Sequence, residues 1–100
     1  MGNGRNGRDN AVLVCGLGRF GSSVAQALTR LGHEVLAVDR DAKIVQDWSG
    51  RLTHVVEADT TSVDALQQLG VQHFQHAVVG IGTSIESSVL TCANLVDLGL

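Results

Sequence analysis

The sequence predicts one α/β domain in which a parallel β-sheet carries helices on both of its faces. Four short apolar runs alternate with four segments of helical periodicity, in the order β-α-β-α-β-α-β-α. A glycine follows each helical segment, as is typical of helix C-termini. Alternation at this short spacing requires right-handed crossovers between parallel strands, so the expected spatial order of the strands is 3-2-1-4. The sheet is expected to stop before a fifth strand.

The first strand and the turn that follows it predict a site for phosphate groups. Residues 11–15 are apolar at every position, as expected for a parallel strand that is covered on both faces. Gly16 permits a tight turn, Gly18 lets a backbone approach a pyrophosphate, and Gly21 lets the next helix pack closely on the sheet. The N-terminus of that helix offers free N–H groups and the positive end of its dipole to an anion.

The first helix leads to a second strand that ends in an acid. Gly32 is expected to close the helix in a left-handed conformation, and residues 34–38 form the next strand. Asp39 follows Gly16 by 23 residues, where a nucleotide-binding unit places a carboxylate for the ribose hydroxyls. The fold is therefore predicted to be Rossmann-like, with a nucleotide over the carboxyl ends of strands 1 and 4. Five apolar residues recur at helical spacing along this segment: Phe20, Val24, Ala27, Leu28 and Leu31.

The remaining elements follow from caps and turn residues. Asp41 is expected to cap a helix over residues 42–49, which Gly50 ends. A third strand over residues 54–58 runs into the polar turn 59–61. We expect the last three elements to be a helix over residues 62–69, a fourth strand over 76–79 and a helix from 84 or 85 to 98.

Composition narrows the class of protein. With 100 residues, 44% of them hydrophobic, the chain has enough apolar side chains for one core, whereas residues 1–10 have the composition of a disordered tail. A net charge of −3 and an aromatic content of 3% argue against nucleic-acid binding. No apolar run approaches the length of a membrane span, so we expect a cytoplasmic protein that does not insert into a membrane. Neither the four histidines nor the two cysteines, Cys15 and Cys92, form a metal or redox motif, and both cysteines are expected to be buried.

Three segments together resemble the KTN domain, the N-terminal RCK or TrkA-N domain of bacterial Ktr/Trk potassium-uptake regulators. They are Gly16-Leu-Gly-Arg-Phe-Gly21, Gly32-His-Glu-Val-Leu-Ala-Val-Asp39 and His76-Ala-Val-Val-Gly-Ile-Gly82. The resemblance runs from about residue 11 to the end of the chain. It implies a regulatory domain that binds ATP, ADP or NAD(H) and controls a potassium transporter or channel.

The resemblance also implies site residues and partners. The glycines would hold the phosphates with Arg19, Asp39 would hold the ribose, Arg40 and Asp59 would flank the adenosine, and the segment after the fourth strand would border the phosphates. The implied partners are copies of the same chain, from a dimer to an octameric ring, and a potassium-translocating subunit at the inner face of the membrane. The implied cofactor-binding residues are Gly16, Gly18, Arg19, Phe20, Gly21, Asp39, Arg40, Asp59, Thr60, Gly80 and Gly82.

Two other functions remain open at this point. An NAD-dependent oxidoreductase would need a proton donor near the nicotinamide, but the chain has no tyrosine, a single lysine and no histidine with an obvious orienting acid. A non-switching assembly module would hold a nucleotide only for stability. Arg40 could bind a 2′-phosphate, whereas Asp39 would repel one, so a free ribose is favoured over NADP. The preferred nucleotide, the ring size and whether the chain is a fragment stay undecided.

Overall fold

The computed structural model describes residues 11–82 and 84–100, and the predicted disordered tail at residues 1–10 lies outside them. The observed elements follow the predicted order, with bounds within two residues of those expected. A 3-10 turn that the periodicity did not predict, at Val71–His73, lies between the third helix and the fourth strand. The elements are β1 (Ala11–Cys15), α1 (Arg19–Arg30), β2 (Glu34–Asp39), α2 (Ala42–Ser49), β3 (His54–Glu57), α3 (Val63–Gln68), β4 (His76–Val79) and α4 (Ile85–Asp97).

The four strands form one parallel sheet in the order β3-β2-β1-β4, which confirms the predicted topology. Cys15, the last residue of β1, is level with Val38 on β2 and with Val79 on β4. Asp39 at the end of β2 is level with Glu57 on β3. All four strands therefore end at one edge of the sheet, and the winding reverses direction between β1 and β4.

Each face of the sheet has its own apolar core. Val12 and Val14 point to the face covered by α1 and α2, whose Ala25, Leu28, Ile44 and Trp48 complete that core. Leu13 and Cys15 point to the face covered by α3 and α4. The alternating side chains of one fully buried strand therefore support both layers of helices, which confirms the prediction of helices on both faces.

The outer side of α4 is apolar and exposed. Ile85, Val89 and Val96 are 84%, 61% and 66% exposed, and Cys92 on the same helix is also exposed, so the expectation that both cysteines are buried is wrong for Cys92. Thr91 and Leu95 hold the other side of the helix against the sheet. Among the described residues, β4 pairs with β1 alone and forms one edge of the sheet. No helix within residues 11–82 and 84–100 has the length and apolar character needed to cross a bilayer.

Candidate functional site

A cleft of about 670 Å³ opens at the carboxyl edge of the sheet, where the loops after all four strands meet. Its volume falls within the range of small-molecule sites, about 300–1,000 Å³. The walls are the turn after β1, the end of β2 with the start of α2, the loop after β3, and the loop between β4 and α4. The lining residues are Gly16, Gly18, Arg19, Val38, Asp39, Arg40, Asp41, Ile44, Ala58, Asp59, Thr60, Thr61, Gly80, Ile81, Gly82, Ser84 and Ser87.

The turn after β1 depends on the close approach of three glycines. Gly16 has a φ of +100°, and a Cβ on it would lie 2.7 Å from the carbonyl oxygen of Gly80. A Cβ on Gly21 would overlap the carbonyl oxygen of Gly16. The backbone N–H of Gly16 donates to Val38, and that of Gly80 donates to Cys15, both at 2.8 Å. The turn is therefore fixed to both neighbouring strands, and two of its glycines cannot carry a side chain without moving backbone.

Gly18 is different, because it faces open space. A Cβ on Gly18 would have no atom within 4 Å, and its φ is an ordinary −72°. Gly18 is the N-cap of α1, no side chain caps the helix, and its first turn contains no acidic residue. The first N–H with an intrahelical acceptor is that of Ser22, which donates to Gly18 at 2.9 Å. The preceding N–H groups of α1 thus lack intrahelical acceptors at the wall of the cleft, where they can donate to an anion.

Asp39 fastens the turn to the end of β2. Its Oδ2 accepts a hydrogen bond from the backbone N–H of Leu17 at 2.8 Å, and its Oδ1 accepts one from the N–H of Asp41 at 2.9 Å. Each carboxylate oxygen retains a further lone pair for a ribose hydroxyl. Sequence reasoning missed the contact with Leu17, since the two residues are 22 positions apart and the donor is a backbone group.

The loop after β3 adds a negative charge. Asp59 Oδ1 accepts hydrogen bonds from the hydroxyl and the backbone N–H of Thr61, at 2.6 and 2.9 Å. These two hydrogen bonds, with a smaller contribution from the positive charge of Arg40, hold the pKa of Asp59 below its usual value. Asp59 is therefore a carboxylate at neutral pH and an acceptor of hydrogen bonds on this wall.

The opposite wall contains the N-terminus of α4. Ser84 caps this helix by accepting a hydrogen bond from the backbone N–H of Ser87 at 3.1 Å, and Glu86 lies in its first turn. The Ser88 hydroxyl donates to the carbonyl of Ile81 at 3.0 Å and fixes the loop after β4. Ser84 and Ser87 line the cleft and were not predicted, although the serine at the start of an apolar helix was a usable signal.

The structure brings nine of the eleven predicted cofactor-binding residues to the wall of this one cleft. The two exceptions are neighbours on α1. Phe20 is 62% exposed and its ring lies beside Gly80, whereas Gly21 is buried against the Gly16 carbonyl. Neither residue lines the space that a ligand would enter.

The reactive and charged groups near the cleft are one buried thiol and several charged side chains. Cys15, at the end of β1, is the thiol nearest in sequence to the turn, but burial raises its pKa to about 12, so it stays protonated at neutral pH. Within residues 11–82 and 84–100, no three His, Cys, Asp or Glu side chains are grouped to hold a metal ion. The charged groups on the walls are two arginines and three aspartates: Arg19, Arg40, Asp39, Asp41 and Asp59.

Comparisons with known proteins agree with this architecture. The family model described as TrkA-N domain matches residues 12–99. The chain is 42% identical over 93 residues to Ktr system potassium uptake protein A of Bacillus subtilis (strain 168). This alignment covers 93% of this chain and 42% of that protein. It is 41% identical over 87 residues to Ktr system potassium uptake protein C of the same organism, covering 87% of this chain and 39% of that protein.

The fold also has a solved counterpart. The NAD(P)-binding domain of an exopolyphosphatase-related protein from Archaeoglobus fulgidus superposes with a TM-score of 0.79 at 22% identity, over 88% of this chain and 65% of that one. At this identity the likeness concerns the fold alone. The chain spans about two fifths of the length of the two Ktr proteins.

Proposed function

Because this chain belongs to the TrkA-N domain family, we propose that it is the nucleotide-binding domain of a regulator of potassium uptake. In this proposal the cleft holds an adenine nucleotide, ATP, ADP or NAD(H), with its phosphates at the start of α1 and its ribose at Asp39. The similarity to relatives named as Ktr system potassium uptake proteins supports a role of the domain in potassium uptake.

The observation that carries the proposal is the uncapped start of α1. The positive end of the helix dipole, Arg19 and the open space beside Gly18 converge on one wall of the cleft. A cation in the first turn is repelled by the positive end of the helix dipole, which destabilises the helix by about 0.3–1 kcal/mol. A charge-assisted hydrogen bond from this cation to a phosphate contributes about 1.5–3 kcal/mol in the favourable direction. The arrangement is therefore favourable only when an anion is present.

Asp39 supports a ligand with a free ribose. A 2′-phosphate would bring further negative charge against a carboxylate that is held in place by two backbone N–H groups. The expected order of affinity places ADP, ATP and NADH ahead of NADPH. Arg40, exposed at the same wall, is the group that would favour the opposite order.

Calorimetric titration of the chain with ADP, ATP, NADH and NADPH tests the proposal. Asp39→Asn should weaken the binding of ADP, and the matched control Asp47→Asn, an exposed acid of α2 outside the cleft, should leave it unchanged. The absence of binding by all four nucleotides would contradict nucleotide recognition. Tightest binding by NADPH would contradict the role of Asp39.

Regulation and partners form the wider part of the proposal. A nucleotide that favours one arrangement of an assembly by about 1–3 kcal/mol would shift its equilibrium 5- to 150-fold. The exposed apolar side of α4 supports assembly with further copies or with a membrane potassium-translocating subunit at the cytoplasmic face, because such a surface is stabilised by burial. Scattering profiles of the protein with ATP and with ADP should differ, and identical profiles would contradict switching.

A further inference from the structure

A second cavity, of about 350 Å³, lies at the amino edge of the sheet, opposite the cleft. Its walls are the starts of β1, β2 and β3, the end of α3 and the 3-10 turn that follows α3. The volume is within the range of small-molecule sites. A strand of five residues spans about 16 Å, so a molecule in this cavity is separate from one in the cleft. Its lining side chains include Glu34, Leu36, His54, Leu69, His73 and Phe74.

The register of the sheet brings a carboxylate and an imidazole to the same wall of this cavity. Leu36 packs against the core on the face covered by α3 and α4, so Glu34, two positions earlier on β2, points to that face as well. His54 on β3 is level with Leu36 in a parallel pair, so its side chain also points there. Both polar side chains therefore lie next to the apolar Leu36.

The turn after α3 supplies two aromatic rings. Gly70 has a φ of +76°, and its carbonyl accepts the backbone N–H of His73 at 3.0 Å. The His73 ring lies close to this glycine, since a Cβ on Gly70 would be 3.6 Å from His73 Cδ2. Phe74 and Leu69 are half-buried and pack against the core of the same face. The turn therefore presents an imidazole and a phenyl ring to a cavity with an apolar floor.

The polar side chains around the cavity are available to a ligand. Within residues 11–82 and 84–100, the Glu34 carboxylate and the imidazoles of His54 and His73 form no hydrogen bond or ion pair. In the same part of the chain, no three His, Cys, Asp or Glu side chains are grouped to hold a metal ion. With the histidines neutral, Glu34 is the single formal charge among the lining residues. The wall is therefore complementary to an organic cation.

We infer that this cavity binds a small organic cation in which an ammonium group is joined to an aromatic ring. The Glu34 carboxylate accepts a hydrogen bond from the ammonium group, and Leu36 and Leu69 cover the ring. The rings of His73 and Phe74 offer stacking and cation–π contacts. An anion of the same shape would be repelled by Glu34. The inference does not depend on the proposed nucleotide site, which lies at the other edge of the sheet.

Three compounds of similar shape test the charge of the ligand: 2-phenylethylammonium, 2-phenylethanol and phenylacetate. Each is titrated into the ¹⁵N-labelled chain at neutral pH and low salt, and binding should shift the amides of Leu36, Gly70 and His73. We expect the ammonium compound to bind about 1.5- to 5-fold more tightly than the alcohol, the range for one exposed ion pair, and phenylacetate to bind most weakly. Added salt should reduce this preference.

Two variants test the role of the carboxylate. Glu34→Gln removes the charge of an exposed side chain and retains its shape, so the variant should fold as the wild type does and bind the ammonium compound and the alcohol equally. Glu57→Gln is the matched control, because Glu57 is an exposed acid at the other end of β3 and outside the cavity. It should retain the preference of the wild type for the ammonium compound.

A fourth compound, 2-cyclohexylethylammonium, tests the aromatic part of the inference. It retains the ammonium group and has a larger apolar surface, so it would bind more tightly than 2-phenylethylammonium if apolar burial alone decided the affinity. We expect it to bind no more tightly, because it lacks the stacking contacts with His73 and Phe74. Tighter binding of the cyclohexyl compound would overturn this part.

The remaining outcomes separate this inference from the proposed function. Equal binding of the three phenyl compounds by the wild type, or shifts confined to Gly18 and Arg19 at the cleft, would overturn the inference, as would the absence of shifts around the cavity. A chain that binds 2-phenylethylammonium here but none of the four nucleotides would support the inference and contradict the proposed function. The shifts caused by 2-phenylethylammonium should be the same when ADP is present.

Discussion

The starts of α1 and α4 lie on two sides of the same cleft and are constructed in opposite ways. At the start of α4 the backbone N–H of Ser87 has a side-chain acceptor in Ser84, and Glu86 adds an acid to the first turn. At the start of α1, Gly18 provides no side chain and Arg19 adds a cation. A helix N-terminus that its own sequence completes needs no ligand, whereas one left incomplete at a cleft needs an external anion.

The remaining two helices follow the pattern of α4. Asp41 accepts from the N–H of Lys43 at 2.9 Å at the start of α2, and Ser62 accepts from the N–H of Ala65 at 3.3 Å at the start of α3. Of the four α-helices within the described residues, α1 alone therefore lacks a side-chain cap. The difference is a property of one turn of the chain and can be changed by single substitutions.

The largest expected effect is the loss of the turn itself. Gly21→Ala places a Cβ on the Gly16 carbonyl, where the obstacle is backbone, so we expect the free energy of unfolding to fall by about 3 kcal/mol or more. Urea unfolding measures it. Gly50→Ala is the matched control, because its φ is −89° and a Cβ there has no atom within 4 Å. A Gly21→Ala variant as stable as the wild type would contradict the close approach of α1 to the turn.

The next effect converts the start of α1 into one like that of α4. Gly18→Asp supplies a capping carboxylate at an N-cap position whose backbone is already extended. It should stabilise the ligand-free chain by about 0.3–1 kcal/mol, mainly through the negative charge at the helix N-terminus, because glycine is itself a tolerated N-cap residue. The same carboxylate competes with phosphate, so the affinity for ADP should fall at least about 10-fold, which costs about 1.4 kcal/mol. Thermal unfolding and calorimetry measure the two quantities.

The uncharged variant Gly18→Ser separates the two causes of this loss. It competes for the same N–H groups without adding charge, so its effect on affinity should lie between those of the wild type and Gly18→Asp. If Gly18→Asp binds ADP as tightly as the wild type does, the start of α1 is not where the phosphates bind.

The reverse change, Ser84→Ala, removes the cap of α4. We expect the free energy of unfolding to fall by about 1 kcal/mol, the usual value of an N-cap, because the Ser87 N–H loses its acceptor. The sign is opposite to that of Gly18→Asp, and denaturant midpoints of the two variants measured side by side test it. A stabilised Ser84→Ala variant would contradict the assignment of the cap.

The smallest effect concerns Asp59 and depends on pH. Because the folded pKa of this carboxyl is below its unfolded value, its stabilisation is present above about pH 4, the ordinary aspartate pKa, and is lost as the pH falls through the folded pKa. The stability difference between the wild type and Asp59→Asn should therefore favour the wild type at pH 7 and shrink at pH 3. A difference that grows on acidification would contradict the hydrogen bonds from Thr61.

Local patterns in the sequence predicted most of the fold. The apolar run at residues 11–15 and the glycines after the helices placed the elements within two residues, because hydrophobic periodicity and turn chemistry are properties of neighbouring residues. The 3-10 turn at Val71–His73 was missed, since three residues are too few to show a period.

The site was predictable to the extent that it depends on a short motif. The spacing of Gly16, Gly18 and Asp39 placed them at one cleft. Two hydrogen bonds were not predictable: the one from the Leu17 N–H to Asp39 and the one between the hydroxyls of Thr60 and Thr91. The two residues of each hydrogen bond are 22 and 31 positions apart and meet only when the sheet has formed. The position of the Phe20 ring beside Gly80 was not predictable either, since an apolar residue in a motif does not reveal which side of the turn it contacts.

The amide spectrum of the ¹⁵N-labelled chain during titration with ADP, and separately with adenosine, tests the central claim most directly. The incomplete start of α1 is proposed to receive the phosphates. ADP should shift the backbone amides of Gly18, Arg19 and Phe20 far more than adenosine does, and the capped amide of Ser87 should respond weakly. Equal shifts with the two ligands, or shifts confined to the start of α4, would contradict the account.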